Sequence, residues 1–144
     1  RVRSLSMNAY VGRCCIDHSS GCPASQGKSM YQEDYRQYLK LSEIRQPAKT
    51  FVFLDEHADS INDGKFLYTL ANQTHWGDTP ASYHNEAGGF SFADGHSEIH
   101  KWLGQASRIK VTATAGAYRP PTFDALGKQD FAWLWERTSV PFKQ

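Results

Sequence analysis

A chain of 144 residues with 40% hydrophobic and 22% charged side chains has the size and balance of one globular domain with a single core. Its 16 basic and 15 acidic residues are well mixed, leaving a net charge of +1 and no basic stripe, which argues against nucleic acid as a partner and against an electrostatic membrane anchor. No run of roughly eighteen apolar residues is present to span a bilayer, and no signal peptide is visible; the chain opens at Arg1 on a segment that already reads as a strand, so the natural N-terminus is expected upstream.

Residues 2 to 11 alternate in part and end at Gly12, which suits a first strand. Residues 12 to 38 are rich in Gly, Ser and charged side chains and read as a long loop with one helical turn around Gln32 to Leu39. Cys14, Cys15 and Cys22 fall in this loop. In an oxidising compartment they read as one short disulfide, Cys22 with Cys15 or with Cys14, and one thiol left over. A zinc site from the three cysteines and His18 is the sharper alternative; adjacent cysteines rarely chelate one zinc, and no second Cys pair follows.

Leu41 to Ile44 is a brief ordered piece, and Thr50 to Asp55 is the most apolar run in the chain, with the aromatic and β-branched content of a buried central strand. A polar turn from Asp59 to Gly64 precedes a further strand within Lys65 to Ala71, and Asn72 to Gly88 reads as irregular. Two alternating runs then flank Asp94-Gly95, the preferred two-residue hairpin turn, in which glycine accepts positive φ. That register places Phe90, Phe92 and Ile99, joined by Trp102, on one face, and Ser91, His96, Glu98 and His100 on the other. Beyond Leu103 the chain turns small and polar up to a short amphipathic helix from Asp130 to Arg137 that pins the C-terminus with two Trp. The class is α+β: an antiparallel sheet with long loops and short helices.

Two constellations carry chemistry. Asp55, Glu56, Asp59, Ser60, Asn62 and Asp63 crowd nine residues after the central strand, a density of hard oxygen ligands that suits calcium. An EF-hand is excluded, because Ile61 and Leu70 stand where ligands belong; a solvated acidic turn is the plainer alternative. Asp55, Asp59, Asn62 and Asp63 are the candidate ligands, with Asp94 a more distant fifth. The second group, His84, Asp94, His96 and His100, is the donor set of a metal-assisted hydrolase acting on an ester or lactone, although the turn alone explains Asp94. No nucleophile elbow, phosphate-binding glycine pattern or haem signature is present. Asp55 and Glu56 point to opposite faces of a strand, which is wrong for a glycosidase pair. Tyr31, Tyr35, Tyr38, Trp76 and Tyr83 offer an exposed carbohydrate-binding face or, more plainly, packing under the long loops.

His84, nine residues, then Asp94-Gly95 resembles the H-X9-DG motif of prepilin-type proteins, a family similar to the G-type major pseudopilin of type II secretion. Arg3 to Gly12 resembles the strand that precedes the family's loop, Phe51 to Glu56 and Asp59 to Gly64 its central segment, and Asp130 to Thr138 its closing element. The resemblance implies a C-terminal pilin-like head spanning residues 1 to 144, a membrane-inserted N-terminal helix upstream of Arg1, and processing by prepilin peptidase. It also implies assembly with other pseudopilin subunits through that helix, and a location on the periplasmic or cell-surface face of the inner membrane. G-type pseudopilins carry calcium in a loop of the head, so the resemblance favours calcium at the acidic turn. The function implied is structural rather than enzymatic.

Overall fold

A computed structural model of the chain describes residues 4–13, 26–112 and 118–142. Five strands form one sheet in the order β3-β1-β2-β4-β5. They are β1 (Leu5–Asn8), β2 (Phe51–Asp55), β3 (Lys65–Phe66), β4 (Ala87–Phe92) and β5 (Ser97–Lys101). Helix α1 (Ala125–Trp135) and 3-10 turns at Leu41–Glu43, Leu70–Asn72 and Gln105–Ser107 are the other described elements. The class is therefore α+β, with one correction: the sheet is mixed. β1 lies between β2 and β3, antiparallel to the first and parallel to the second. Cys14, Cys15 and Cys22 lie outside the described residues. No described helix is long and apolar enough to cross a membrane.

The central strand forms where its apolar run predicts. A register shift between Phe51 and Phe53 resets the alternation, so that Phe51 and Leu54, three positions apart, both enter the core, while Phe53 stays exposed. The hairpin also forms as expected, but its turn holds three residues. Phe92 N–H donates to the His96 carbonyl at 2.9 Å and Gly95 N–H to the Phe92 carbonyl at 3.0 Å, with Gly95 at φ +95°. One added turn residue inverts the parity of the returning arm. Phe90 now pairs with Glu98 and Gly88 with His100. His100 and Trp102 consequently join Phe90 and Phe92 on the inner side, and Ile99 turns outward at 66% exposure.

Of the helical turn expected around Gln32 to Leu39, only one hydrogen-bonded turn forms, Tyr35 N–H to the Gln32 carbonyl at 2.8 Å, and the stretch from Tyr35 on is extended. Lys28 bridges Arg36, Val11 bridges Tyr38 and Tyr35 bridges Pro141, so this stretch exchanges backbone hydrogen bonds with both ends of the chain. Helix α1 begins earlier than Asp130, because Asp124 caps it by accepting from Gly127 N–H at 2.6 Å. Its Phe131, Leu134 and Trp135 close over Tyr68 and Trp76 in a core dominated by edge-on aromatic pairs, such as Trp76–Phe123 at 5.1 Å and Tyr68–Trp135 at 5.6 Å. Buried Asn8 ties three segments together: its Nδ2 donates to the carbonyls of Phe51 and Thr138, each at 2.9 Å, and its Oδ1 accepts from Tyr10 N–H. An unbonded amide there would cost about 1–3 kcal/mol per buried group.

Candidate functional site

The acidic turn leaves the end of β2, and the fold sends its carboxylates in different directions. Asp55 lies on the outer side of the sheet, where one oxygen accepts from Gly89 N–H at 3.1 Å and meets His84 Nε2 at 3.2 Å. Glu56, the next residue, is fully buried, as strand alternation demands. Asp59 turns toward the loop that follows the Gln105–Ser107 turn, where its Oδ2 accepts from both the backbone N–H (2.7 Å) and the hydroxyl (2.9 Å) of Thr112. Asp63 accepts from Lys65 N–H at 2.6 Å, which closes the turn into β3. Asp94 stands apart in the hairpin turn and holds the backbone N–H (3.1 Å) and ring Nδ1 (2.5 Å) of His96; this bonding lowers its pKa. Among the described residues no three His, Cys, Asp or Glu side chains are grouped to hold a metal.

The histidines are separated in the same way. His84 is bound to Asp55, His96 stacks on Phe92 at 4.4 Å, and His100 lies flat on Trp133 with ring centroids 3.4 Å apart. Burial against these rings lowers the His100 pKa to about 4, so it is neutral near pH 7. His57 is buried, accepts from Asp59 N–H through Nδ1 at 3.2 Å, and stacks on Tyr118. The donor set expected for a hydrolase is thus spread over the outer face, the turn and the inner face of one hairpin. Of the aromatics read as a binding face, Trp76 and Tyr38 are core residues, and Tyr31 and Tyr35 pack against the core. Tyr83 remains exposed, its hydroxyl accepting from Ala58 N–H at 2.7 Å.

Two carboxyls outside the candidate ligand sets, Glu56 and Asp78, are strongly shifted. Desolvation raises Glu56 to about 7; the hydroxyls of Ser6 and Ser60 act against the rise, and Asp78 and Asp63 add to it. Its Oε1 accepts from Ser60 Oγ at 3.1 Å, and its Oε2 has no hydrogen bond among the described residues. Desolvation likewise lifts Asp78 to about 6, opposed by its bond from Leu67 N–H (2.6 Å) and reinforced by Asp63. Asp78 lines a cleft of about 300 Å3 together with Asn62, Asp63, Lys65 and the apolar side of Tyr31 and Leu67. Glu56 belongs to the acidic run by sequence, but nothing local singles it out within that run. Glu56 is marked only by strand parity after a bulge, and Asp78 sits in a stretch that reads as irregular. No protein-family model, curated protein or solved structure matches this chain.

Proposed function

We propose that the chain is the head of a structural, pseudopilin-like subunit of a type II secretion or related surface-fibre system, standing on the periplasmic or cell-surface face of the inner membrane. The observation that supports this reading is that the motif residues serve architecture. His84 grips Asp55 at the end of β2, Asp55 in turn holds Gly89 N–H of β4, and Asp94-Gly95 closes the far end of the same strand. The nine intervening residues are the span needed to run β4 from one anchor to the other. Partners in this reading are other pseudopilin subunits and the membrane, both reached through an apolar helix upstream of Arg1. The coding sequence there is expected to hold a prepilin peptidase site followed by roughly twenty apolar residues. Cells producing the longer protein should cleave it and carry it in the envelope fraction. A longer protein with neither the site nor the apolar run ends this reading.

The calcium implied by the resemblance fits the described side chains poorly. Calcium takes six to eight oxygens, whereas Asp55, Asp59 and Asp94 are held at three separate places and only Asn62 and Asp63 share a cleft. The resemblance implies a head stabilised by that ion; in this proposal carboxylate-to-backbone hydrogen bonds supply the stabilisation instead. Thermal melts with EDTA and with added calcium chloride are therefore expected to coincide; a Tm that falls under EDTA and returns with calcium restores the ion to the reading.

A further inference from the structure

The cleft beside the acidic turn has polar atoms fixed in place before any ligand enters. The Asp78 carboxylate is oriented by Leu67 N–H on Oδ2 at 2.6 Å. The Asn72 side chain is oriented by Thr69, whose N–H (3.0 Å) and hydroxyl (3.1 Å) both donate to Oδ1. The Lys65 ammonium is drawn to the carbonyls of Val11 and Arg13. What these bonds leave over is an acceptor, the second oxygen of Asp78, and two donor hydrogens on Asn72 Nδ2, none of them bonded among the described residues. Asn62 adds an amide with no described partner, and Tyr31 contributes an aromatic wall. A pre-oriented donor and acceptor in one concave site is the arrangement that lowers the ordering cost of binding.

The charge pattern narrows the ligand. Asp63 and Asp78 repel each other across the cleft, so an anion is disfavoured, and an apolar ligand would strip water from the unbonded Asp78 and Asn72 groups without replacing it. With no third acidic or His ligand among the described residues, a bare metal ion lacks its coordination sphere. A hydroxyl donates to a carboxylate without adding charge, and a neighbouring hydroxyl accepts from an amide in the same plane. We propose that this cleft binds one pyranose ring of a glycan through adjacent hydroxyls, one donating to Asp78 Oδ1 and the next accepting from Asn72 Nδ2, with Asn62 at the rim. The volume, about 300 Å3, is at the lower end for ligand pockets and suits a single ring rather than a buried chain. This inference does not depend on the pseudopilin reading.

Saturation-transfer NMR of the chain with glucose, galactose, mannose and N-acetylglucosamine tests it, run above the pH at which Asp78 ionises. At least one sugar is expected to receive saturation. Asp78→Asn is expected to weaken that sugar about tenfold and Asn62→Ala about threefold. Asn62 makes no described contact that folding needs, so its variant keeps the test valid if Asp78→Asn melts early. Saturation of no sugar overturns the proposal. So does a sugar signal that persists unchanged in both variants, or calcium chloride alone shifting the cleft resonances while no sugar binds.

Discussion

Gly104→Ala is expected to be among the most destabilising single-methyl additions in the molecule, at about 4 kcal/mol, read as a fall in Tm of about 10 °C. A Cβ at this position would stand 2.4 Å from both the Cα and the N of Gly127 and 3.0 Å from Asp124 Oδ1. Those atoms belong to the first turn of α1 and its cap, so no flexible side chain can give way. The helix must move outward, and two further interactions go with it. Asp130, buried in α1, accepts from Gly104 N–H at 2.8 Å and Leu103 N–H at 3.0 Å, and each N–H left buried and unpaired costs about 1–3 kcal/mol. Phe131, Leu134 and Trp135 would also lose contact with Tyr68 and Trp76. Gly95→Ala is the control. That glycine has φ +95° and nothing within 4 Å of the added methyl, so only backbone strain of about 1 kcal/mol is expected. Equal losses in the two variants would show that close helix approach is not what Gly104 provides.

The same helix marks the limit of what the sequence discloses. The two Trp and their amphipathic spacing make α1 visible, but its start is misplaced at Asp130. Asp130 reads as a helix-opening acid, whereas its carboxylate is an acceptor for backbone 26 and 27 residues away. Asp124, the true cap, is preceded by a Pro-Pro loop and followed by Gly127, which hides the helical pattern. The hairpin shows a subtler limit. Asp94-Gly95 correctly locates the reversal, since two- and three-residue turns both favour that pair, but it does not decide the count. The count sets which of Ile99 and His100 faces the inner side of the sheet.

The acidic turn was legible as composition and opaque as geometry. Carboxylate density suggests shared ligation, yet Asp55 answers to Gly89 and Asp59 to Thr112, both distant in sequence, while Asp63 only closes the turn onto Lys65. Such pairings follow from the sheet order, which places β4 beside β2 and inserts β1 between β2 and β3. Local patterns constrain that order weakly. The cleft that holds Asn62 and Asp63 is therefore a product of topology, with Lys65, Thr69, Asn72 and Asp78 of its polar lining drawn from outside the acidic turn.

Glu56→Gln is expected to stabilise the protein at pH 8 by about 2 kcal/mol and to leave it nearly unchanged at pH 4. The carboxyl is fully buried, with an ordinary pKa of 4.5 that folding raises to about 7. Between those values the folded chain keeps a proton that the unfolded chain has released, so stability falls as pH rises through the window and levels off above it. The gap corresponds to an upper limit of about 3 kcal/mol, reduced by whatever water or relaxation reaches the ion. Glutamine keeps the acceptor for Ser60 Oγ and removes the charge, so the Glu56 share of the fall between pH 4.5 and 7 should vanish from urea or thermal melts. A smaller decline at lower pH should survive, because Asp78 rises from 3.8 to about 6 and titrates in the same sense. Urea melts at a series of pH values separate the two, since between about pH 6 and 7 the slope depends on Glu56 and not on Asp78. A Glu56→Gln variant less stable than the parent at pH 8 would reverse the argument. It would mean that the ionised carboxylate is matched by a counter-charge in solution, and a cation beside Asp63 and Asp78 would then be the first place to look.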